Sequence, residues 1–344
     1  MFGKKFLLIP ILLSLIIDLQ AQQWWYGSFS NICDNREYFS NYAHSQTILG
    51  ARLNLGSGFE VDSLHQVFAG LNYMIEYGHK PFSNPIPDNA ANNRSWNPVV
   101  DLYYKYEKEN FRVQLGSFPR YKNLNYPLAL ITDTFQYYRP NIQGGFMELA
   151  GTWGNQNVWC DWISRQTYIA REQFMAGTSG HIQFKNLYIE DYLYMFHNAS
   201  SMAKDTSSHL QDNGGFAFYA GYDLNNKTPL DILKIDIGYV GAYNRFRPDP
   251  YGFFSGIQVR AFIFYKFAGI DGTYYKGEKL PLVNGDPFYS NTGNYARFDA
   301  YIHPFKSKHI DSKIGWSFHI LDGGKKLDNS LQVLLRVNFL NRNK

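Results

Sequence analysis

From residue 22 onward the chain is written in short segments in which apolar and polar residues alternate. Near the C-terminus Leu331, Val333, Leu335, Val337 and Phe339 share one face. Ser330, Gln332, Arg336 and Asn338 share the other, with Leu334 the exception. A period of two is the mark of a β-strand with unlike faces. The pattern recurs upstream. Ile257, Val259, Ala261, Ile263 and Tyr265 oppose Gln258, Arg260 and Lys266; Val100, Leu102, Tyr104 and Tyr106 oppose Asp101, Tyr103, Lys105 and Glu107. Phe111, Val113 and Leu115 oppose Arg112 and Gln114; Phe298, Ala300 and Ile302 oppose Arg297, Asp299 and His303; Ile314, Trp316, Phe318 and Ile320 oppose Ser317 and His319. Charge on the face opposite the apolar one suits a wall with lipid outside and water inside. It suits the dry interior of a two-sheet sandwich badly.

The links between segments alternate in length, as the turns and loops of a membrane barrel do. Short ones lie near 62–65, 109–110, 154–156, Asn186 and 268–269, with a longer turn at 225–231. Long ones span about 79–95, 121–141, 199–214 and 281–293. The expected fold is therefore all-β, a transmembrane antiparallel β-barrel of about 16 strands. Fourteen is the alternative, because the first strand (23–30) and the region around Thr167 are poorly defined in the pattern.

The N-terminus changes how the rest is read. Lys4 and Lys5 precede an apolar run from Phe6 to Ile17, and Leu19-Gln20-Ala21 offers a cleavage site. Residues 1–21 read as a secretory signal peptide, leaving 22–344 as the barrel, bound for the cell outer membrane. No later stretch is long and apolar enough for a helical span. Composition agrees with a barrel: 27 Tyr, 27 Phe and 7 Trp make the chain 18% aromatic, enough to furnish the girdles at two membrane interfaces. A net charge of +4 gives no reason to expect nucleic acid as a partner. Cys33 and Cys160 leave open whether they pair.

The signal-like N-terminus, the hairpin 49–77 and the final strand 331–339 resemble the porin-like outer-membrane barrels of Bacteroides-type bacteria. The resemblance implies a passive channel for small polar solutes, or the membrane part of an uptake complex. Its partners would be outer-membrane lipid, the barrel-insertion machinery, and a polar solute or a surface or periplasmic protein. The alternative is a non-conducting structural or partner-binding barrel. Parity nominates Glu76, Asp101, Arg112, Arg260, Arg297, Asp299 and Arg336 as lumen-lining groups that tune selectivity or pair across the lumen. Tyr137, Tyr138 and Arg139, in the loop 121–141, are candidates for a constriction if that loop folds inward; a surface patch is the other possibility.

Catalysis is a remote alternative, and no catalytic set, cofactor or metal is expected. Tyr77-Gly78-His79 followed by Asn93–Asn97 is similar to the active-site region of the outer-membrane phospholipase family. That resemblance would make His79 a base and Asn97 its orienting partner. The nucleophile position holds Pro81, and Ser83 lies about 13 Å from His79 in an extended strand. The other histidines, among them His197, His303, His309 and His319, show no metal-ligand spacing. Loop carboxylates such as Asp205 and Asp212 leave calcium open. In 157–166, Trp159, Asp161, Trp162 and Arg165 read as girdle residues beside a polar lumen, with a sugar-stacking platform as the alternative.

Overall fold

A computed structural model describes residues 22–78, 98–121, 123–203 and 210–342. Sixteen strands follow one another: β1 (Gln22–Glu37), β2 (Gln46–Glu60), β3 (His65–Glu76), β4 (Val99–Lys108), β5 (Phe111–Pro119), β6 (Asn141–Gly151), β7 (Gly154–Ser164) and β8 (Gln173–Phe184). They continue as β9 (Leu187–Asn198), β10 (Gln211–Asp223), β11 (Ile232–Phe246), β12 (Gly252–Tyr265), β13 (Ala268–Gly277), β14 (Asn294–Ile302), β15 (Ile310–Leu321) and β16 (Lys326–Arg342). Each pairs antiparallel with its sequence neighbours, and β1 pairs with β16 to close the barrel, from Trp24 opposite Arg342 to Glu37 opposite Asn329. The expected strand number is met. The expectations for residues 1–21, His79, Pro81, Ser83, 93–97 and Asp205 fall outside the described residues.

Alternation sets the two faces. Outward positions carry Leu53, Leu71, Leu102, Leu149, Ile189 and Ile237, each exposed as a lipid-facing wall requires. The described ends, Gln22 and Arg342, lie at one end of the barrel, where the links are short. Four of them are two-residue turns, 109–110, 152–153, 185–186 and 266–267, and in three the first residue takes a positive φ, at Glu109, Lys185 and Lys266. Two turns are displaced by about two residues from the expected positions. The chain reverses at 152–153, not 154–156, and at 266–267, not 268–269. Trp153 and Phe267 occupy those turns, so apolar residues there extend the strand pattern past its true end. Short turns mark the periplasmic end of such a barrel and long loops the extracellular end.

The loop end is not an open mouth. The β5–β6 link (120–140, with the short helix α1, Asp133–Tyr138) and the β13–β14 link (278–293, with α2, Pro287–Asn291) fold into the barrel. Leu130, Leu280 and Phe288 are sealed there beside the wall residues Phe118, Ile142, Met175, Tyr194 and Tyr295. The links also bond to each other, Thr132 N to Asn284 O at 2.8 Å and Asp286 N to Leu128 O at 3.0 Å. Tyr126 Oη reaches through to the carbonyls of Thr178 (2.8 Å) and Leu193 (3.0 Å). Gly215 makes room, since a Cβ there would stand 2.8 Å from Leu130 Cδ2. An interior expected to be wet is, toward the loop end, a hydrophobic core.

Candidate functional site

The nominated charges fall on the inner face, and most are held by other wall or plug residues. Asp101 is fully buried and accepts from Asn141 (2.7 Å), Asn54 (2.8 Å) and Tyr26 (3.2 Å). Arg112 meets Glu148 at 3.0 Å. Arg260 bridges Asp236 (2.8 Å) and Glu190 (2.7 Å) across the Tyr219 ring. Arg297 meets Asp299 at 2.8 Å and Asp286 at 3.7 Å. Arg260, Arg297, Asp299, Arg336 and Tyr137 line one cavity of about 700 Å³ beneath the plug, and Glu76, Asp101, Arg112, Tyr138 and Arg139 are not among its lining. Arg139 donates to Ile163 O at 3.4 Å, and its carbonyl accepts from Arg120 Nε at 3.0 Å. The loop 121–141 thus lies inside the barrel.

Hydrolytic chemistry needs a base that a substrate can reach. Among the described residues no histidine ring is hydrogen-bonded to a serine, threonine or cysteine side chain. His319 donates to or accepts from Tyr295 Oη at 2.7 Å and stacks on Phe288 at 4.4 Å, sealed beneath α2. His65, His181 and His303 meet Asp62, Glu190 and Asp311, all toward the terminus end. His197 differs in place and in company. Its Nδ1 lies 2.8 Å from Asp212 Oδ1, one residue inside the loop end of β9.

Register explains the company. Trp162, Phe174, His197, Asp212 and Arg245 are successive cross-strand partners on β7 to β11, forming one row around the wall. The row faces outward, because its strand neighbours Asn213 and Phe196 are buried inside while Leu193 and Met195 are exposed. Trp162 stacks on Phe174 at 5.4 Å, and Phe174 lies 5.2 Å from His197. Arg245 Nε donates to Asp212 Oδ2 at 3.1 Å, and Arg247 Nε to the same oxygen at 3.1 Å. Arg245 also packs 4.0 Å from the Tyr251 ring, which continues to Tyr243 and Phe253. Two arginines against one carboxylate leave the cluster with a net charge of +1 when His197 is neutral. Arg247 is the most exposed of the four polar groups, its side chain 47% open.

An accepting Asp212 fixes the tautomer with the proton on Nδ1, leaving the Nε2 lone pair of His197 as a base. From sequence alone His197 is one of several scattered histidines and Asp212 a loop carboxylate open to calcium. The structure places Asp212 on β10, occupied by His197 and two arginines. The missed signal was parity, since His197 and Arg245 fall on the lipid-facing set of their strands, where a polar residue needs a reason. Of the segment 157–166, Trp159 and Asp161 point inward, to Tyr126 and Arg120, and Trp162 points out to the girdle.

A model of the lipid A 3'-O-deacylase-type family matches residues 28–323. No curated protein matches the chain in sequence. Solved outer-membrane barrels share the fold. OmpT of Vibrio cholerae in its trimer form gives a TM-score of 0.56 at 9% identity, over 93% of this chain and 99% of that one. The anion-selective porin from Comamonas acidovorans gives 0.52 at 10%, over 93% and 100%. At those identities the likeness is one of fold. The family match overturns the expected porin-like channel and the expected absence of catalysis, because a deacylase is a hydrolase. The physical reason that charge parity misled is the plug: lumen charges are spent on holding inward-folded loops and one another.

Proposed function

The chain belongs to the lipid A 3'-O-deacylase-type family, and from that membership we propose that it hydrolyses an acyl ester of a lipid A-like glycolipid at the outward-facing row around His197. One observation carries the choice of site. His197 is the acid-paired histidine that stands at the loop end on the lipid-facing wall, with two arginines beside it. The ester carbonyls of a membrane lipid lie between its headgroup and its chains. A row one residue inside the strand ends, above Met195 and Leu193 and within the aromatic girdle, meets them at that height.

In this reading His197 Nε2 takes a proton from water as its oxygen attacks the ester carbonyl carbon. Asp212 holds the Nδ1 proton and stabilises the imidazolium. Arg247, exposed enough to turn toward the substrate, faces the oxyanion, and the residual positive charge favours an anionic headgroup. Collapse breaks the bond to the sugar oxygen, which recovers its proton from His197; the products are a fatty acid and a free hydroxyl. Residues 1–21 serve in this proposal as an export signal removed near Ala21. The test is fatty acid release from lipid A in mixed micelles, followed by mass spectrometry, for the wild type, His197→Gln and Asp212→Asn. Losses of about 10²–10⁴ in kcat are expected of barrels that still fold. Undiminished release by folded His197→Gln would move the chemistry elsewhere on the barrel.

A further inference from the structure

Among the described lumen arginines, Arg36, Arg112, Arg120, Arg260 and Arg297 each meet a carboxylate. Arg52 and Arg336 do not. They stand on β2 and β16, on either side of β1, and Ser30 is the register partner of both. Arg336, Ser30 and Arg52 thus form one inward row, and all three line the cavity beneath the plug. Arg52 donates to Asn72 Oδ1 at 2.7 Å, to Met74 Sδ at 3.1 Å and to the Tyr137 carbonyl. Arg336 lies 4.4 Å from the Tyr121 ring and, among the described residues, makes no ion pair. The charge of Arg336 opposes that of Arg52, while Asp101 favours it more strongly. Neither guanidinium is in ion-pair contact with an acid among the described residues, although Asp133, Glu190, Asp271 and Asp299 also line the cavity, and a bound anion would supply the missing direct counter-charge.

We infer that the row Arg52–Ser30–Arg336 is a binding site for a phosphate ester presented in the lumen. With the Ser30 hydroxyl between them, the Arg336 fork and the N–H groups of Arg52 not spent on Asn72, Met74 and Tyr137 offer more donors than a carboxylate's two oxygens can use. A phosphate monoester has three terminal oxygens for them. The cavity, about 700 Å³, is larger than a phosphate needs and is within the range that holds a whole small molecule. Tyr192, Tyr289 and Tyr301 give its walls ring faces and hydroxyls suited to a polar body such as a sugar. The lining extends to Ile232 and Lys313, at the terminus end of β11 and β15, so the ligand enters from the periplasmic side. None of these residues belongs to the rim row, and the two sites stand or fall separately.

The full barrel, purified in detergent and shown folded by heat-modifiable migration, is titrated with glucose 6-phosphate and with dihexanoyl phosphatidic acid. Binding is read by calorimetry and by the rise in Tm that a ligand of the folded state produces. Arg52→Gln and Arg336→Gln should each weaken binding by about tenfold or more, and the paired lysine variant should fall between, having charge but no fork. Without ligand, Arg336→Gln should melt no lower than wild type, because it relieves a like-charge repulsion. A response to the sugar phosphate assigns a soluble ligand, and a response to the lipid alone assigns a headgroup. The inference is overturned if neither probe binds wild type, if the folded double glutamine variant binds as well, or if ligand-free Arg336→Gln melts lower.

Discussion

Arg120 is the tether of the plug, and its removal should open the barrel. It is 1% exposed, at the first position after β5, and its guanidinium holds four partners at once. Nε donates to the Arg139 carbonyl at 3.0 Å, Nη2 to the Asn141 carbonyl at 3.1 Å and to the Asp161 carboxylate, and the group packs 4.7 Å from the Phe135 ring of α1. Asp161, 2% exposed on β7, keeps one further bond, from Gln143 N at 2.8 Å. Arg120→Leu leaves that carboxylate buried without its cation, at a cost of about 3–5 kcal/mol. Adding Asp161→Asn removes the stranded charge, leaving about 1–3 kcal/mol for the two carbonyls that lose a donor. The double variant should therefore be more stable than the single one by about 2 kcal/mol, opposite in sign to simple addition. Urea unfolding in detergent, read by tryptophan fluorescence, gives the energies, and planar-bilayer recording gives the consequence. Wild type should be silent, Arg120→Leu should show bursts of conductance, and the double variant should return toward silence. If Arg120→Leu matches wild type in both assays, or the double variant costs the sum of the singles, the ion pair does not hold the plug.

Two further outcomes follow from other parts of the structure. Burial pushes the Asp286 carboxyl, which caps α2, up to about 6, against about 4 in an unfolded chain, despite the opposing pull of Arg297. A raised carboxyl contributes stability that is full below about pH 4 and lost as pH rises through 6, so wild type should melt higher at pH 5 than at pH 7.5. Asp286→Asn, whose amide oxygen still caps Phe288 N, should flatten that profile, and parallel melting curves for the two proteins would refute the account. On the outer wall, Asp191 lies between Ile189 and Leu193, with Gln156 Nε2 3.1 Å from its Oδ2 across Gly180. A carboxylate facing lipid costs on the order of 1 kcal/mol, so Asp191→Leu should raise the unfolding midpoint and leave ester hydrolysis unchanged; a lower midpoint would make Asp191 a tie between strands.

The wall was legible because its signal is local. Each strand declares its two faces within about ten residues, and sixteen such declarations in series give the barrel. The inward parity of Arg260 and Arg297 came with it. Their partners did not, because Asp236 and Glu190 reach Arg260 through the register of neighbouring strands, and no residue type encodes a register. The plug left a trace that composition alone could have exposed: Leu124, Leu128, Leu130 and Ile131 make the β5–β6 link too apolar for an extracellular loop. The rim row left less. His197, Asp212 and Arg245 are separated by 15 and 33 residues and meet only because three strands stop at the same height.

The plug and the rim row are two faces of the same wall. Tyr126 bonds the carbonyls of Thr178 and Leu193 on β8 and β9, Tyr194 Oη donates to Leu130 O at 3.1 Å, and Asn213 Nδ2 donates to Pro281 O at 2.7 Å. Asn213 is the residue after Asp212, and Phe196, sealed inside, is the residue before His197. A barrel of this circumference without an internal filling would leave an aqueous channel, and nothing would fix its wall from within. Packing the plug against β8 to β11 holds the strands that carry His197, Asp212 and Arg245, which is what a hydrogen bond of 2.8 Å between a base and its orienting acid requires. The inward loops that close the lumen therefore have a second consequence: releasing them by Arg120→Leu should lower ester hydrolysis through kcat while His197, Asp212 and both arginines remain in the sequence unchanged.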